Sequence, residues 1–256
     1  MNKIAARAGE MLARFLTKPV HVHGIAPAAK PARLGALLQP ADVILVEGHS
    51  RISAAIKYLT QSTWSHAALY IGMQVTDPAR GAEHCFVEAD IAEGVRRVGL
   101  AEFAEFHVRI CRPIGLSMAD RDHVIDYVLR RVGDQYDLRN VIDLARYLIP
   151  TPPVPARFRR HLLSLGSGDP TRAICSGLVA QAFQMVGYPI LPMTHTHVSD
   201  SPECPGCIEE LLRPRHHSLC VPRDFDVSPY FDVVKPALPA PFSYHDLKWA
   251  AQTEED

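Results

Sequence analysis

One cysteine lies at the predicted start of a helix, a position that suits a catalytic nucleophile. The segment CSGLVAQAFQMVG, residues 175–187, has apolar residues at helical spacing and ends at a glycine, so we predict a helix that begins at Cys175. The unpaired N–H groups and the dipole of a helix N terminus stabilise a thiolate and an oxyanion beside it. The alternative is a buried structural thiol, but the apolar stripe starts only at Leu178. Cys175 is therefore a candidate nucleophile.

A cysteine nucleophile needs an imidazole to accept its proton and a third group to orient that imidazole. Of the thirteen histidines, His66 is the best placed, because it opens the strand-like segment HAALYIG where a polar stretch turns apolar. The next strand-like segment, HCFVEAD, carries Glu88 among apolar neighbours. A carboxylate in such a strand needs a partner, and an adjacent imidazolium would supply it. A structural histidine at a strand edge is the alternative for His66.

Short strands bracketed by helices must position these residues. The predicted strands are 42–48, 66–72, 84–90, 94–100 and 106–113, and the predicted helices are 50–62, 120–133, 138–148 and 175–187. Ser117 and Asp120 predict a capping box before the second helix. This order indicates an α+β fold with an antiparallel sheet packed against helices. Residues 1–40 are predicted to be an amphipathic helix and a linker, and residues 41–256 a domain whose C-terminal extension is irregular.

Bulk composition excludes several classes of function. The chain is 47% hydrophobic and 21% charged with a formal net charge of -1, so no overall basic field would attract nucleic acid. No apolar run approaches the roughly 18 to 20 residues that span a bilayer. Arg7, Glu10 and Arg14 interrupt the N-terminal stretch, which therefore lacks the apolar core of a secretion signal. We expect a cytoplasmic protein whose six cysteines are thiols or ligands rather than disulfides.

The N-terminal segment 1–18 has an apolar stripe that could contact either a membrane surface or protein. Apolar residues of segment 1–18 fall on one helical side and Lys3, Arg7 and Arg14 mostly on the other. Such a helix can lie on an anionic inner membrane surface, as a peripheral contact. Packing on the domain or on a partner is the alternative.

Five segments together resemble a known family. In order, they are ADVILVEG, TQSTWSHAALYIG, FVEAD, GDQYDLRNV and AICSGLVAQAFQMVGYPI, and they cover roughly residues 41–190. They resemble the permuted branch of the NlpC-type papain-like superfamily, the branch of the YiiX-like and lecithin retinol acyltransferase-like proteins. In that branch the histidine-bearing strand precedes the cysteine-bearing helix, the reverse of papain. The resemblance implies a circularly permuted papain-like fold.

The resemblance also implies roles for individual residues. Cys175 would be the nucleophile, His66 the base and Glu88 the polar third residue, and Tyr136 would line the substrate site. The implied activity is a thiol hydrolase or acyltransferase that acts on amide or ester bonds through a thioester, without a required cofactor. Its substrate would be a small molecule, a peptide or a lipid acyl compound. The motif Ile174-Cys175-Ser176-Gly177 departs from the Asn-Cys-Glu-His pattern of the acyltransferases, which favours hydrolysis.

Other classes of protein remain open at this stage. A chymotrypsin-like cysteine protease shares the order His, Glu, Cys, but its nucleophile lies on a loop between strands, and long helices do not suit two β-barrels. A papain-like binding module that has lost activity would keep the fold. No G-x-S-x-G elbow and no nucleotide-binding glycine loop occurs in the sequence.

A metal-stabilised interaction protein is the third alternative, because the C-terminal region concentrates cysteine and histidine. Cys204 and Cys207 form a C-x-x-C pair, and His217 and Cys220 form a second pair, with His216 as a substitute ligand. Together these residues predict a structural zinc site with three cysteines and one histidine. A C-P-G-C redox pair, around which no thioredoxin-like βαβ pattern is seen, and reduced surface thiols are the alternatives.

Overall fold

A central antiparallel sheet organises the described residues, which in this computed structural model are 18, 31–73, 84–91, 93–135, 175–198, 207–235, 243 and 245. The strands are β1 Val43–Glu47, β2 His66–Tyr70, β3 Phe86–Asp90, β4 Gly94–Val98, β5 His107–Pro113, β6 Met193–Val198, β7 Ile208–Arg213 and β8 Phe231–Val234. Six of them form one sheet in the order β4-β3-β2-β1-β5-β8, and all neighbours are antiparallel. Strands β6 and β7 pair separately.

Five helices accompany the strands in the described part of the chain. They are α1 Pro31–Gly35, α2 Arg51–Thr60, α3 Met118–Leu129, α4 Cys175–Met185 and α5 Pro222–Asp226. Serine caps explain where two of them begin: Ser50 and Ser117 each accept a hydrogen bond from the backbone N–H three residues later. The predicted α+β class, with an antiparallel sheet packed against helices, is confirmed.

Strand alternation divides the core between the two faces of the sheet. Leu45, Leu69 and Val87 belong to one apolar cluster with residues of α3 and α4. Ile44 and Phe86 belong to the other, which α1 and the 3-10 turn Leu100–Phe103 cover. Strand β1 is buried at all five positions because both faces of the sheet are covered at this strand.

Two segments contain more regular structure than the sequence indicated. In the predicted linker, α1 buries Leu34, which is only 4% exposed. In the C-terminal extension, predicted to be irregular, β8 completes the main sheet and both Phe225 and Phe231 enter the core. Strand β8 is only four residues long, too short for its apolar pattern to be recognised.

Several predictions fall on residues that the structure does not describe. The amphipathic segment 1–17, the predicted helix 138–148, Tyr136 and Cys204 all lie outside the described residues. Within the described part, no helix is both long and apolar enough to cross a membrane.

The β3–β4 hairpin is held by the turn that follows α3. The N–H of Val95 donates to the carbonyl of Asp134 at 2.9 Å, and the N–H of Gly133 donates to Val95 at 2.8 Å. Gly94 has a φ of +77°, and a Cβ there would lie 2.3 Å from the oxygen of Asp134. Only glycine tolerates both the positive φ and this close approach, so Gly94 allows the turn to hydrogen-bond to β4.

Substituting this glycine should destabilise the fold. We expect Gly94→Ala to lower the free energy of unfolding by about 3 kcal/mol, because it adds a steric clash to the cost of a left-handed backbone. Gly115→Ala is the matched control, since Gly115 has a φ of +67° but no atom within 4 Å of the point where a Cβ would lie. The control should lose about 1 kcal/mol in urea unfolding. Equal losses in the two variants would contradict the close approach at Gly94.

Candidate active site

The backbone at His66 is fixed by the junction of β1 and β2. The N–H of Ser65 donates to the carbonyl of Val46 at 3.0 Å. In return, the Oγ of Ser65 accepts the N–H of Gly48 at 2.9 Å. Ser65 is buried, so solvent does not compete for these bonds. His66 therefore starts β2 at a defined position and presents a side chain that is 24% exposed.

Strand register places Glu88 beside this histidine. Ala68 of β2 lies opposite Glu88 of β3, so His66, two residues away on the same face, is its diagonal neighbour. The ring Nε2 of His66 donates to Oε2 of Glu88 at 2.7 Å. Glu88 is only 4% exposed, which makes this bond a buried, charge-assisted one.

Arg96 occupies the second oxygen of the same carboxylate. It lies directly opposite Glu88 in β4 and donates to Oε1 from Nε at 2.9 Å, and its Nη2 lies 2.8 Å from the same oxygen. Its Nη1 also approaches Oε1 of Glu93 at 3.1 Å. Arg96 was not predicted from the sequence. The available signal was an arginine pair in the strand-like segment GVRRVGL, but the register decides which arginine faces Glu88.

Cys175 is the first residue of α4, as the sequence predicts, and its side chain interacts with the ring of His66, whose pKa it raises. Helix α4 packs against β2 and β3, which brings its N terminus to the start of β2. The residue is 6% exposed. Next to it, the Oγ of Ser176 donates to the carbonyl of Cys220 at 2.7 Å and ties this helix end to the C-terminal segment. The structure thus brings Cys175, His66 and Glu88 together.

The charges of the site favour a protonated imidazole. Burial alone would lower the pKa of His66, but the negative charges of Cys175 and Glu88, and the hydrogen bonds to both, raise it well above 6.5. Burial alone would raise the pKa of Glu88, but His66 and Arg96 lower it to about 2. The arrangement is therefore suited to an imidazolium between a thiolate and a carboxylate.

The predicted zinc site requires a correction. Cys207 is disulfide-bonded, so its sulfur has no thiolate to offer a metal, and the expectation that all six cysteines are thiols or ligands is also wrong. The ring Nε2 of His217 is hydrogen-bonded to Nε2 of Gln181 at 2.9 Å, and Cys220 is buried. Cys204 lies outside the described residues. Among the described residues, no group of three or more His, Cys, Asp or Glu side chains is arranged to hold a metal ion.

A solved structure is similar to this chain. It is the crystal structure of a protein described as metalloprotein yiiX from Escherichia coli O157:H7, which is 16% identical and aligns with a TM-score of 0.47. The alignment covers 79% of this chain and 99% of that one. No curated protein matches the chain at a significant level.

A family match covers the segment that carries three of the site residues. Residues 37–147 match the family described as permuted papain-like amidase enzyme, YaeF/YiiX, C92 family. This range contains His66, Glu88 and Arg96, whereas Cys175 follows it. The family consists of amidases, which supports a cysteine hydrolase-like function. The match over residues 37–147 confirms the resemblance recognised in the sequence, and this part of the chain is similar to the permuted papain-like amidase family.

Proposed function

We propose that the protein is a cysteine amidase in which Cys175 is the nucleophile, His66 the general acid and base, and Glu88 the group that orients His66. One observation carries the proposal: the imidazole of His66 interacts with the thiol at the start of α4 and also contacts the buried carboxylate of Glu88 at 2.7 Å. The raised pKa of His66 supports it, because that ring can protonate a leaving amine near neutral pH.

Acylation follows from the position of each group. The sulfur of Cys175 attacks the carbonyl carbon of the amide; a C–S bond forms and an electron pair moves to the oxygen. The backbone N–H of Cys175, at the first position of α4, is placed to donate to that oxyanion. The imidazolium of His66 then gives its proton to the amide nitrogen, the C–N bond breaks and the amine leaves. A thioester remains on the sulfur.

Deacylation uses the same imidazole in its neutral form. His66 removes a proton from water while the water oxygen attacks the thioester carbonyl, and the C–S bond breaks. The products are a carboxylic acid and the regenerated Cys175–His66 pair. An amine or alcohol acceptor in place of water would give acyl transfer by the same steps. Small amides, peptides and lipid esters are the candidate acyl donors, and amides come first because the matched family is one of amidases.

Trapping the thioester tests the proposal directly. Intact mass spectrometry after incubation with a panel of amide and ester donors should show one acyl adduct per chain, located by peptide mapping at Cys175. Cys175→Ala should abolish the adduct, and His66→Ala should slow its formation by at least about 100-fold. Cys85 and Cys111 are internal controls, because burial raises the pKa of both thiols, that of Cys111 to about 12.

Two outcomes would contradict the proposal. The first is an adduct distributed over several cysteines that Cys175→Ala leaves unchanged. The second is the absence of any adduct or hydrolysis across the panel while a small electrophile still labels Cys175, which would instead favour the inactive binding module.

The pH profile should depend on Glu88 in a defined direction. The anion of Glu88 raises the pKa of His66, so Glu88→Gln lowers that pKa and the imidazolium is lost at lower pH. We expect the alkaline limb of kcat/KM to move downward by about one pH unit or more. Glu93→Gln is the matched control, because Glu93 is 64% exposed and contacts the far side of Arg96. Identical alkaline limbs in the wild type and Glu88→Gln would contradict the role of Glu88.

A further inference from the structure

We infer that Arg96 is a positioning residue of this site, which keeps Glu88 ionised and leaves one of its oxygens aimed at His66. The inference rests on the proposed function, because it assigns Arg96 a part in the same reaction. It adds to the Cys–His–Glu chain a fourth group, contributed by the edge strand β4.

The geometry around Glu88 leaves its carboxylate little freedom. Two nitrogens of Arg96 contact Oε1, at 2.9 and 2.8 Å, and the ring of His66 contacts Oε2 at 2.7 Å. With the guanidinium on Oε1 and the imidazole on Oε2, rotation of the carboxylate would break at least one of these contacts. Oε2 therefore stays in the position from which it orients the imidazole.

The charge of Arg96 matters most when His66 is neutral. His66 gives up its proton to the leaving amine, and in the thioester stage it must act as a base. If Arg96 were absent at that stage, Glu88, whose side chain is 6% exposed, would be a buried carboxylate without a cation and would tend to take up a proton itself. A guanidinium remains charged at every stage. Arg96 thus keeps Glu88 anionic through deacylation, so that Glu88 stays an acceptor for the ring N–H.

The hairpin that carries Arg96 is itself restrained. Backbone bonds from Gly133 and Asp134 hold Val95, the residue before Arg96. Arg97, the residue after Arg96, has its side chain on the face of β4 opposite to that of Arg96. It donates from Nη2 to the carbonyl of His84 at 3.0 Å. Arg97 is therefore a matched control of the same residue type on the same strand.

Three variants test the inference: Arg96→Met, Arg96→Lys and Arg97→Met. Two properties are measured on each folded full-length variant. One is the protonation of Glu88, followed through the ¹³C shift of its carboxyl carbon, and the other is the pH profile of Cys175 alkylation by iodoacetamide. Where a donor has been found, its deacylation rate is added. Circular dichroism confirms that each variant is folded.

The expected results distinguish charge from geometry. Arg96→Met should raise the pKa of Glu88 from about 2 by roughly one unit or more, and should move the acid limb of alkylation upward. Its deacylation should slow by about 10- to 100-fold. Arg96→Lys keeps the charge without the two-nitrogen contact, so it should retain the low pKa of Glu88 while deacylation is still slowed. Arg97→Met should match the wild type in all three measurements.

The inference is overturned if both Arg96→Met and Arg96→Lys show the same pKa of Glu88, and the same alkylation profile, as the control Arg97→Met. Should Arg96→Met fail to fold, the wild type and Arg96→Lys decide, because unchanged deacylation in Arg96→Lys would exclude a positioning role for the two-nitrogen contact. The pKa of Glu88 and the alkylation profile do not depend on turnover. A wild type without amidase activity would therefore refute the proposed function while still leaving Arg96 testable by these two measurements.

Discussion

The rest of the site depends on one interaction, that of the buried Glu88 carboxylate with the two cations His66 and Arg96. An ionised carboxylate removed from water costs several kcal/mol unless charged partners and hydrogen bonds compensate for the loss of solvation. Here His66 contacts one oxygen and Arg96 the other. Because each partner uses a different oxygen, the two contacts do not compete. Removing either partner would leave a buried charge only partly compensated.

The antiparallel sheet supplies this arrangement because its register sets three side chains on neighbouring strands. β2 contributes the histidine, β3 the carboxylate and β4 the arginine, all on one face. A shift of one residue in either pairing would turn a member of the set to the other face. The turn after α3 holds the outer strand, and the bonds of Ser65 hold the inner one. The site thus depends on restraints at both ends of this part of the sheet.

Helix α4 brings the remaining group from a distant part of the sequence. Its apolar side chains, among them Val179 and Phe183, pack into the core above the sheet. The bond from Ser176 to Cys220 ties the N-terminal end of the same helix to the C-terminal segment, next to the interaction between Cys175 and His66. Core packing and site chemistry are therefore coupled through one helix.

Residue types and spacing predicted most of the central sheet and three of the four site residues, but not Arg96, strand β8 or the disulfide of Cys207. Short strand-like runs bounded by Pro and Gly turns, together with one alternating segment at 106–113, located the five strands around the site. The position of Cys175 before an apolar stripe located the helix start. Arg96 was missed because only the strand register shows which of two adjacent arginines faces Glu88. Strand β8 was missed because its four residues carry too little pattern. The disulfide of Cys207 was missed because cysteine spacing alone does not separate a metal ligand from a disulfide.

The protonation state of His66 tests the proposed thiolate–imidazolium pair most directly. Two-dimensional NMR of the imidazole nitrogens in the wild type and in Cys175→Ala would follow the ring through a pH titration. We predict that the wild-type ring is doubly protonated at neutral pH, with a midpoint well above 6.5, and that Cys175→Ala lowers this midpoint. A wild-type ring that titrates at or below 6.5, with no response to the loss of Cys175, would contradict the pairing.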